Sequence, residues 1–349
     1  MARLLLTKNT LLTDLHCHSV QDKFAQLVNV ANEFNMATGF ITNDSIATLQ
    51  QIVKFKEGRM RLNLFIGMHY AKGFTRIQYE AVKELNDFLD ESKMGSVYLS
   101  PYSLFHGKMY SFLQDGQCIG SFVGSSNLGN FVGKSPNYIE ADVLFDGKDG
   151  TLVNDRILKI IRNMGKGLSE LSPITHFRTP EQRLLRAYRH VEEVANDELK
   201  MLKSKKTGLR TYIPLKTAPH SNLNAYFGAG KVKDRYSPRG WYEVELIIDK
   251  KEPAMEQIPT EHPITVVTDD GSKFICERQG DNYKNFRSRY DLKILGRWIK
   301  GQMENKGVLA IGKPVTDKVL EEFGKNTLVL DETTELDENG NNIWYAWLN

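Results

Sequence analysis

"HGKMYSFLQDGQCIGSFVGSSN" runs from His106 to Asn127, and its reading decides the fold of the first half of the chain. Two apolar stretches flank Asp115-Gly116, a dipeptide that favours a two-residue hairpin turn. Side chains alternate faces along a strand, so His106, Lys108, Tyr110 and Phe112 share one face. With Asp115-Gly116 as the turn, Gln114 pairs with Gln117. His106 then lies opposite Ser125, with Asn127 one pair further along. An imidazole, an ammonium and an amide thus converge at the open end of an otherwise apolar hairpin.

Upstream of the hairpin, helical and strand patterns alternate. Lys23–Phe34 has helical apolar spacing, and Met36–Thr42 reads as a short buried strand. A helix follows, with Ser45 as its N-cap and Gly58 past its end. "RLNLFIGM" is a strand, "RIQYEAVKELNDFLDE" a helix and "GSVYLSP" a strand, and after the hairpin "NYIEADVLF" reads as another strand. Strands separated by helices predict an α/β domain with a sheet covered by helices. The antiparallel hairpin makes that sheet mixed.

The pattern changes near residue 173. "TPEQRLLRAYRHVEEVANDELKMLKSKK" reads as one helix with Thr179 as N-cap and Pro180 at its first position. Leu184, Tyr188, Val191, Ala195 and Leu202 form its apolar stripe. After Gly208 the chain is strand-rich, with a hairpin signal in "VTDDGSKF" and helices over Leu292–Gln302 and Asp317–Phe323. The expected organisation is an α/β domain over 1–172, a helical linker over 173–207, and a mainly β barrel or half-barrel with short helices over 208–349.

The 349 residues carry a net charge of +3, unevenly distributed: residues 176–300 hold 24 Lys and Arg against 17 Asp and Glu. A basic second half suits a polyanionic partner. Cys17, Cys118 and Cys276 are far apart and in no CxxC pair, which argues against a disulfide framework or a thiolate zinc site. A reducing, cytoplasmic setting is expected. "MARLLLTKNTLLTD" reads as structure rather than as a targeting segment, and no apolar run reaches the roughly 18 residues of a spanning helix. No membrane association is expected.

The hairpin residues suit phosphoryl transfer. A neutral imidazole can attack phosphorus and carry a covalent intermediate, and a second imidazole can protonate the leaving oxygen. Lys108, Asn127 and Ser125 can donate hydrogen bonds to phosphoryl oxygens, and Glu140 can fix the tautomer of His106. That chemistry calls for no metal ion or other cofactor. A rival stands at "TDLHCHS", where His16 and His18 share a strand face as metal ligands do. A metal-dependent phosphoesterase needs several further ligands, and the chain has no second HxH.

"HGK…GSSN…NYIE" resembles the HxK–N–E signature of the phospholipase D superfamily, and within it the restriction endonucleases of the BfiI-like and NgoFVII type. "ATGFIT", "FIGMHYAKGFTRIQYEAVKEL" and "FHGKMYSF" extend the resemblance along most of the first domain. It implies a phospholipase D-like nuclease domain, with His106 as nucleophile or acid, Lys108 and Asn127 as phosphate ligands, and Glu140 as support for the histidine. The superfamily's usual Asp five residues after the Lys is replaced by Leu113; the nuclease branch often lacks that Asp, so the departure favours a nuclease over a lipid hydrolase. The mechanism needs two histidines and the sequence holds one HxK-GSxN set, so a homodimer sharing one site is expected.

In the second half, two polar, basic segments join strands. One, 217–240, holds Ser221, Asn222, Asn224, Lys231, Lys233, Arg235 and Arg239. The other, 278–293, holds Arg278, Asn282, Lys284, Asn285, Arg287, Ser288 and Arg289. Arg and Lys can read guanine and Asn adenine in the major groove, while the others hold phosphates. This half resembles the B3-like DNA-binding domain of the same enzymes, in which two arms of a pseudo-barrel grip the groove; the two segments are the candidate arms.

The expected function is a metal-independent, sequence-specific double-stranded DNA endonuclease of type II-like character, working in a restriction-modification system with a cognate methyltransferase. The alternatives are a phospholipase D-type phosphodiester or lipid hydrolase, and a non-catalytic DNA-binding regulator. The sequence contains no GxxxxGK[ST], so any ATP would be used by a separate NTPase or helicase subunit.

Overall fold

A computed structural model describes residues 2–7, 19–56, 59–131, 139–186, 188–228 and 239–349. The chain divides after Pro180 into two compact units, the first of which also takes in Ala310–Gly312.

In the first unit the strands are β1 (Ala2–Leu6), β2 (Glu33–Thr38), β3 (Arg61–Ile66), β4 (Gly95–Leu99), β5 (Lys108–Gln114), β6 (Gln117–Gly124), β7 (Ala141–Phe145) and β8 (Lys166–Gly167). The helices are α1 (Val20–Val30), α2 (Asn43–Phe55), the single turn α3 (His69–Lys72), α4 (Arg76–Glu91) and α5 (Gly147–Met164). Strand order is β1-β7-β6-β5-β2-β3-β4-β8. β2, β3 and β4 run parallel while β5 lies antiparallel to β2, giving the mixed sheet that the hairpin implied. Strand order reverses direction at β2 and β5, where α/β sheets tend to place their ligands.

Capping explains the helix starts. Thr42, not Ser45, is the N-cap of α2; Ser45 is the N3 member of its capping box. Thr75 and Gln78 form the same device on α4. Both faces of the β5–β6 hairpin are covered. On one, Phe24 stacks on Phe131 at 4.8 Å and meets Phe112 edge-on at 5.6 Å. On the other, Met109 and Val123 pack with Phe65, Ile157 and Ile161 beneath α5. Fully burying one such side chain contributes about 1.5–3 kcal/mol. These contacts hold the hairpin that carries His106 and Lys108.

The second unit contains β9 (Glu192–Glu193), α6 (Asn196–Ser204), β10 (Lys206–Pro214), β11 (Leu246–Ile247), α7 (Ala254–Gln257), β12 (Ile264–Thr268), β13 (Ser272–Gln279), β14 (Asn285–Ser288), α8 (Lys293–Asn305), α9 (Asp317–Phe323), β15 (Thr327–Leu336) and β16 (Asn342–Leu348). Its sheet runs β10-β15-β16-β12-β13-β14-β11, with β9 on β13. The β12–β16 pair is parallel, and the sheet curls as a half-barrel with short helices. Glu304 is buried and satisfied by Trp241 Nε1 at 2.8 Å, Tyr242 OH at 2.9 Å and Arg297 at 3.1 Å.

The single helix expected over 179–206 is not formed: helix occupies only Asn196–Ser204. Leu184 and Leu185 are buried, and the carbonyl of Leu184 accepts from Arg297 Nε at 3.4 Å. His190 takes a positive φ of 63°, and Glu192 and Glu193 pair with Lys273 and Ser272. Strand pairing and burial in the second unit outweigh the helical periodicity, since propensity is weaker than tertiary packing. No helix among the described residues is long and apolar enough to cross a membrane.

Candidate functional site

Lys108 opens β5, paired with Thr38 at the end of β2. His106 precedes it on a loop held against two glycines. Phe105 N donates to Gly67 O at 3.2 Å, and a Cβ on Gly67 would stand 2.3 Å from the Phe105 carbonyl oxygen. A Cβ on Gly39 would meet His106 Cα at 3.1 Å. The glycines of "ATGFIT" and "FIGMHY" are therefore the floor on which His106 sits. Gly67→Ala is expected to push the Phe105–His106 backbone off β3, costing about 1–3 kcal/mol of stability by overpacking. A thermal melt and a cleavage assay on the same preparation check this: both fall together.

Lys108 is buried, and its Nζ lies 3.2 Å from Nδ1 and 3.3 Å from Nε2 of His106. Nζ also donates to the His106 carbonyl at 2.8 Å. Desolvation lowers the Lys108 pKa below the usual lysine range, and the negative charge of Glu140 opposes that shift. Phe40 meets the His106 ring edge-on at 5.7 Å.

The hairpin register departs from the expected one. Gln114 pairs with Gln117 and Leu113 with Cys118, but Phe112 pairs with Gly120, so Ile119 is an extra residue in β6. Beyond this bulge Met109 pairs with Val123. Continuing that register sets Ser126 rather than Ser125 opposite His106. Ser126 is fully buried; its Oγ donates to Asp142 Oδ2 at 2.5 Å and its N–H to Asp142 Oδ1 at 3.3 Å. Its carbonyl accepts from Tyr110 OH at 2.9 Å. A Cβ on Gly124 would stand 2.3 Å from Asp142 Oδ1, so the glycine before the two serines makes room for this carboxylate. Burial raises the Asp142 pKa, partly offset by its bonds to Ser126. Asp142 and Tyr110 thus brace the turn that leads to Asn127, and sequence reasoning assigned neither to the site. The acid two residues after Glu140 was their one visible sign.

Ser125, exposed, donates its hydroxyl to Glu140 Oε2, and Asn130 Nδ2 donates to Glu140 Oε1 at 2.8 Å. The bonds of the Glu140 carboxylate thus go to Ser125 and Asn130, not to the His106 ring as the sequence led one to expect. Asn127 Oδ1 is buried without a hydrogen-bond partner among the described residues. The fold brings His106 against Lys108 and Ser125 against Glu140, with the charge of Glu140 acting on Lys108. An ammonium held against an imidazole at a sheet end can hold a phosphoryl group and attack it.

His69 plays a structural part. It is buried and stacks on Phe74 at 4.5 Å; Nδ1 lies 3.1 Å from Gly73 O, and Ile41 N donates to Nε2 at 3.1 Å. Desolvation lowers its pKa to about 4. The unfolded chain therefore binds the extra proton more readily, so His69 stabilises the fold fully above about pH 6.5 and loses this contribution as pH falls towards 4. The loss amounts to about 3 kcal/mol. Melting wild type and His69→Gln across that range checks it: the acid-side fall in Tm is shallower in the variant. His16 and His18 lie outside the described residues.

The candidate DNA contacts divide. Asn222 and Asn224 are buried: Asn222 Oδ1 accepts from Ile247 N at 2.8 Å, and Asn224 bonds Thr217 O, Val315 O and Val315 N at 2.9, 2.9 and 2.8 Å. Arg278, also buried, donates to Tyr283 O at 2.8 Å, Met255 O at 2.7 Å and Ile258 O at 2.9 Å. Ser288 is fully buried and bonds Asp291 O at 2.7 Å. These four are spent on loop and strand structure, a correction that composition alone could not supply. Ser221 is half-buried, its Oγ accepting from Asn222 Nδ2 at 3.1 Å. Asn282, Lys284 and Arg289 are exposed, and Asn285 is half-buried, its Oδ1 without a hydrogen-bond partner among the described residues. Carboxylates hold the arginines. Arg287 lies 3.3 Å from both Glu245 and Glu277, Arg289 lies 3.8 Å from Glu277, and Arg239 lies 3.8 Å from Glu243. Lys231, Lys233 and Arg235 lie outside the described residues.

Residues 18–167 match the family model of the NgoFVII restriction endonuclease N-terminal PLD domain, and residues 201–334 that of the NgoFVII C-terminal B3-like DNA-binding domain. No curated protein matches the chain. Solved structures similar to it include TrmBL2, described as an archaeal chromatin protein, at 15% identity and a TM-score of 0.30. They also include a phosphatidylserine synthase of Haemophilus influenzae Rd KW20 (16%, 0.34) and Nuc, a phospholipase D family member from Salmonella typhimurium (15%, 0.32). The alignments cover 47, 48 and 48% of this chain, and 54, 40 and 98% of those chains respectively.

Proposed function

Because the chain belongs to the NgoFVII restriction endonuclease family, we propose that it cuts double-stranded DNA at a specific sequence, the first unit supplying the chemistry and the second the recognition. The observation that carries this reading is the contact of Lys108 Nζ with the His106 ring at a sheet end, inside the residues that match the nuclease domain.

In the proposed reaction a ring nitrogen of His106 attacks the scissile phosphorus. A P–N bond forms, the P–O bond to the leaving deoxyribose breaks, and the departing oxygen takes a proton from a second histidine. Water then attacks the phosphohistidine, the P–N bond breaks and the imidazole is regenerated. Lys108 turns its donors from the His106 ring to the phosphoryl oxygens when DNA is bound, freeing the ring nitrogen. Asn127 adds donors from its amide nitrogen where negative charge develops. Glu140 anchors Ser125 and balances the charge of Lys108. The second histidine comes from a second copy of the chain, because the sequence has one HxK-GSxN set. None of these steps calls on a metal ion, and an NTPase subunit and a methyltransferase are the partners such an enzyme would have in a cell.

Incubating the purified protein with a long duplex of known sequence tests this reading. Discrete fragments with common ends support it. A smear contradicts sequence specificity, and hydrolysis of phospholipid vesicles without DNA cleavage favours the lipid hydrolase. Specific binding without any cut, with or without ATP, favours the regulator.

A further inference from the structure

Residues 280–284 join β13 to β14 in a tight turn, closed by the Gln279–Asn285 pair. Gly280, Asn282 and Tyr283 all have positive φ, at 77°, 56° and 52°. Glycine takes this conformation freely; a tyrosine does so at a cost in free energy. Packing does not repay that cost, because Tyr283 is 54% exposed. The fold instead holds the strain with Arg278, whose buried guanidinium donates from Nε to the Tyr283 carbonyl at 2.8 Å while Nη1 donates to both Met255 O and Ile258 O. The arginine that composition assigns to DNA is thus a clamp, and what it clamps is an outward-facing aromatic ring. Beside the ring opens a cleft of about 390 Å³, lined also by Gln279, His262 and Arg289.

We propose that Tyr283 is a preformed contact to duplex DNA, its ring packing on a deoxyribose or on the groove edge of a base beside the recognised sequence. The inference rests on the reading that the second unit binds duplex DNA. An aromatic ring fixed in a strained turn gives up little conformational freedom on binding, which is the benefit that offsets the strain. Such a contact is apolar and releases no counterions, which separates it from the arginines and lysines around it.

The test compares wild type, Tyr283→Ala and Tyr283→Phe for binding to short duplexes enriched from a random pool on the wild-type protein, over a range of salt. Tyr283→Ala is expected to bind about 10-fold more weakly, as truncating one aromatic anchor of an interface predicts. Its dependence on salt should be unchanged, with Tyr283→Phe close to wild type. Thermal melts establish that each variant is folded. An Ala variant that melts like wild type and binds as tightly overturns the proposal, as does a loss of affinity accompanied by a flatter salt dependence. A wild type that binds no duplex overturns the DNA-binding reading and this proposal with it.

Discussion

His106→Ala will abolish DNA cleavage, with a loss on the order of 10⁴-fold or more, while leaving sequence-specific binding intact. The size follows from removing the atom proposed to bond to phosphorus: neither Lys108 nor Asn127 can replace a nucleophile. Binding survives because the expected recognition surface lies in the other unit, more than a hundred residues away in sequence. Packing losses are small, since His106 sits on a loop before β5 and Phe105, not His106, fills the contact with Phe65. Single-turnover cleavage and gel-shift binding on one preparation check both halves. If two copies share one site, mixing wild type with an excess of the variant also poisons wild-type activity.

Lys108→Met comes next in expected effect, at about 10²- to 10³-fold, the loss typical for one preorganised donor to a developing oxyanion. Methionine keeps the apolar bulk, which matters because the side chain is buried. The same burial gives a signature in pH. Desolvation lowers the Lys108 pKa, so the ammonium is lost at a lower pH than for an ordinary lysine. If the ammonium is what holds the phosphoryl group, wild-type cleavage falls as pH rises through that depressed value. Lys108→Met should lack this alkaline limb, and a pH–rate profile of the two proteins distinguishes them.

Much of the fold could be read because local signals agreed with tertiary structure. The helix at Arg76–Glu91, the helix at Asp317–Phe323 and the turn at Asp115-Gly116 each carry their own caps or turn chemistry. The bulge at Ile119 carries no such signal: it is an ordinary apolar residue, and the shift appears only when β6 is matched against β5. Helix α5, Gly147–Met164, escapes notice because its first turn holds two glycines, although Val153, Ile157 and Ile161 mark its buried face. Residues 181–186 and 188–193 show the converse, a helical stripe used for burial and strand pairing instead. The residue types of the candidate site could be picked out from spacing, but the partner of Glu140 could not. Which of two nearby side chains a carboxylate bonds depends on a one-residue register. Likewise an Arg or Asn in a polar loop can face the groove or, like Arg278 and Asn224, bond the loop's own carbonyls.

Cleavage of site-bearing DNA by wild type and His106→Ala in excess EDTA, denatured in alkali at the shortest times, tests the central claim most directly. The expected result is cutting by the wild type alone, with a transient alkali-stable adduct of labelled DNA on the protein, since a P–N bond to histidine survives alkali. Cleavage that requires a divalent ion, or that persists in the His106 variant, would contradict it.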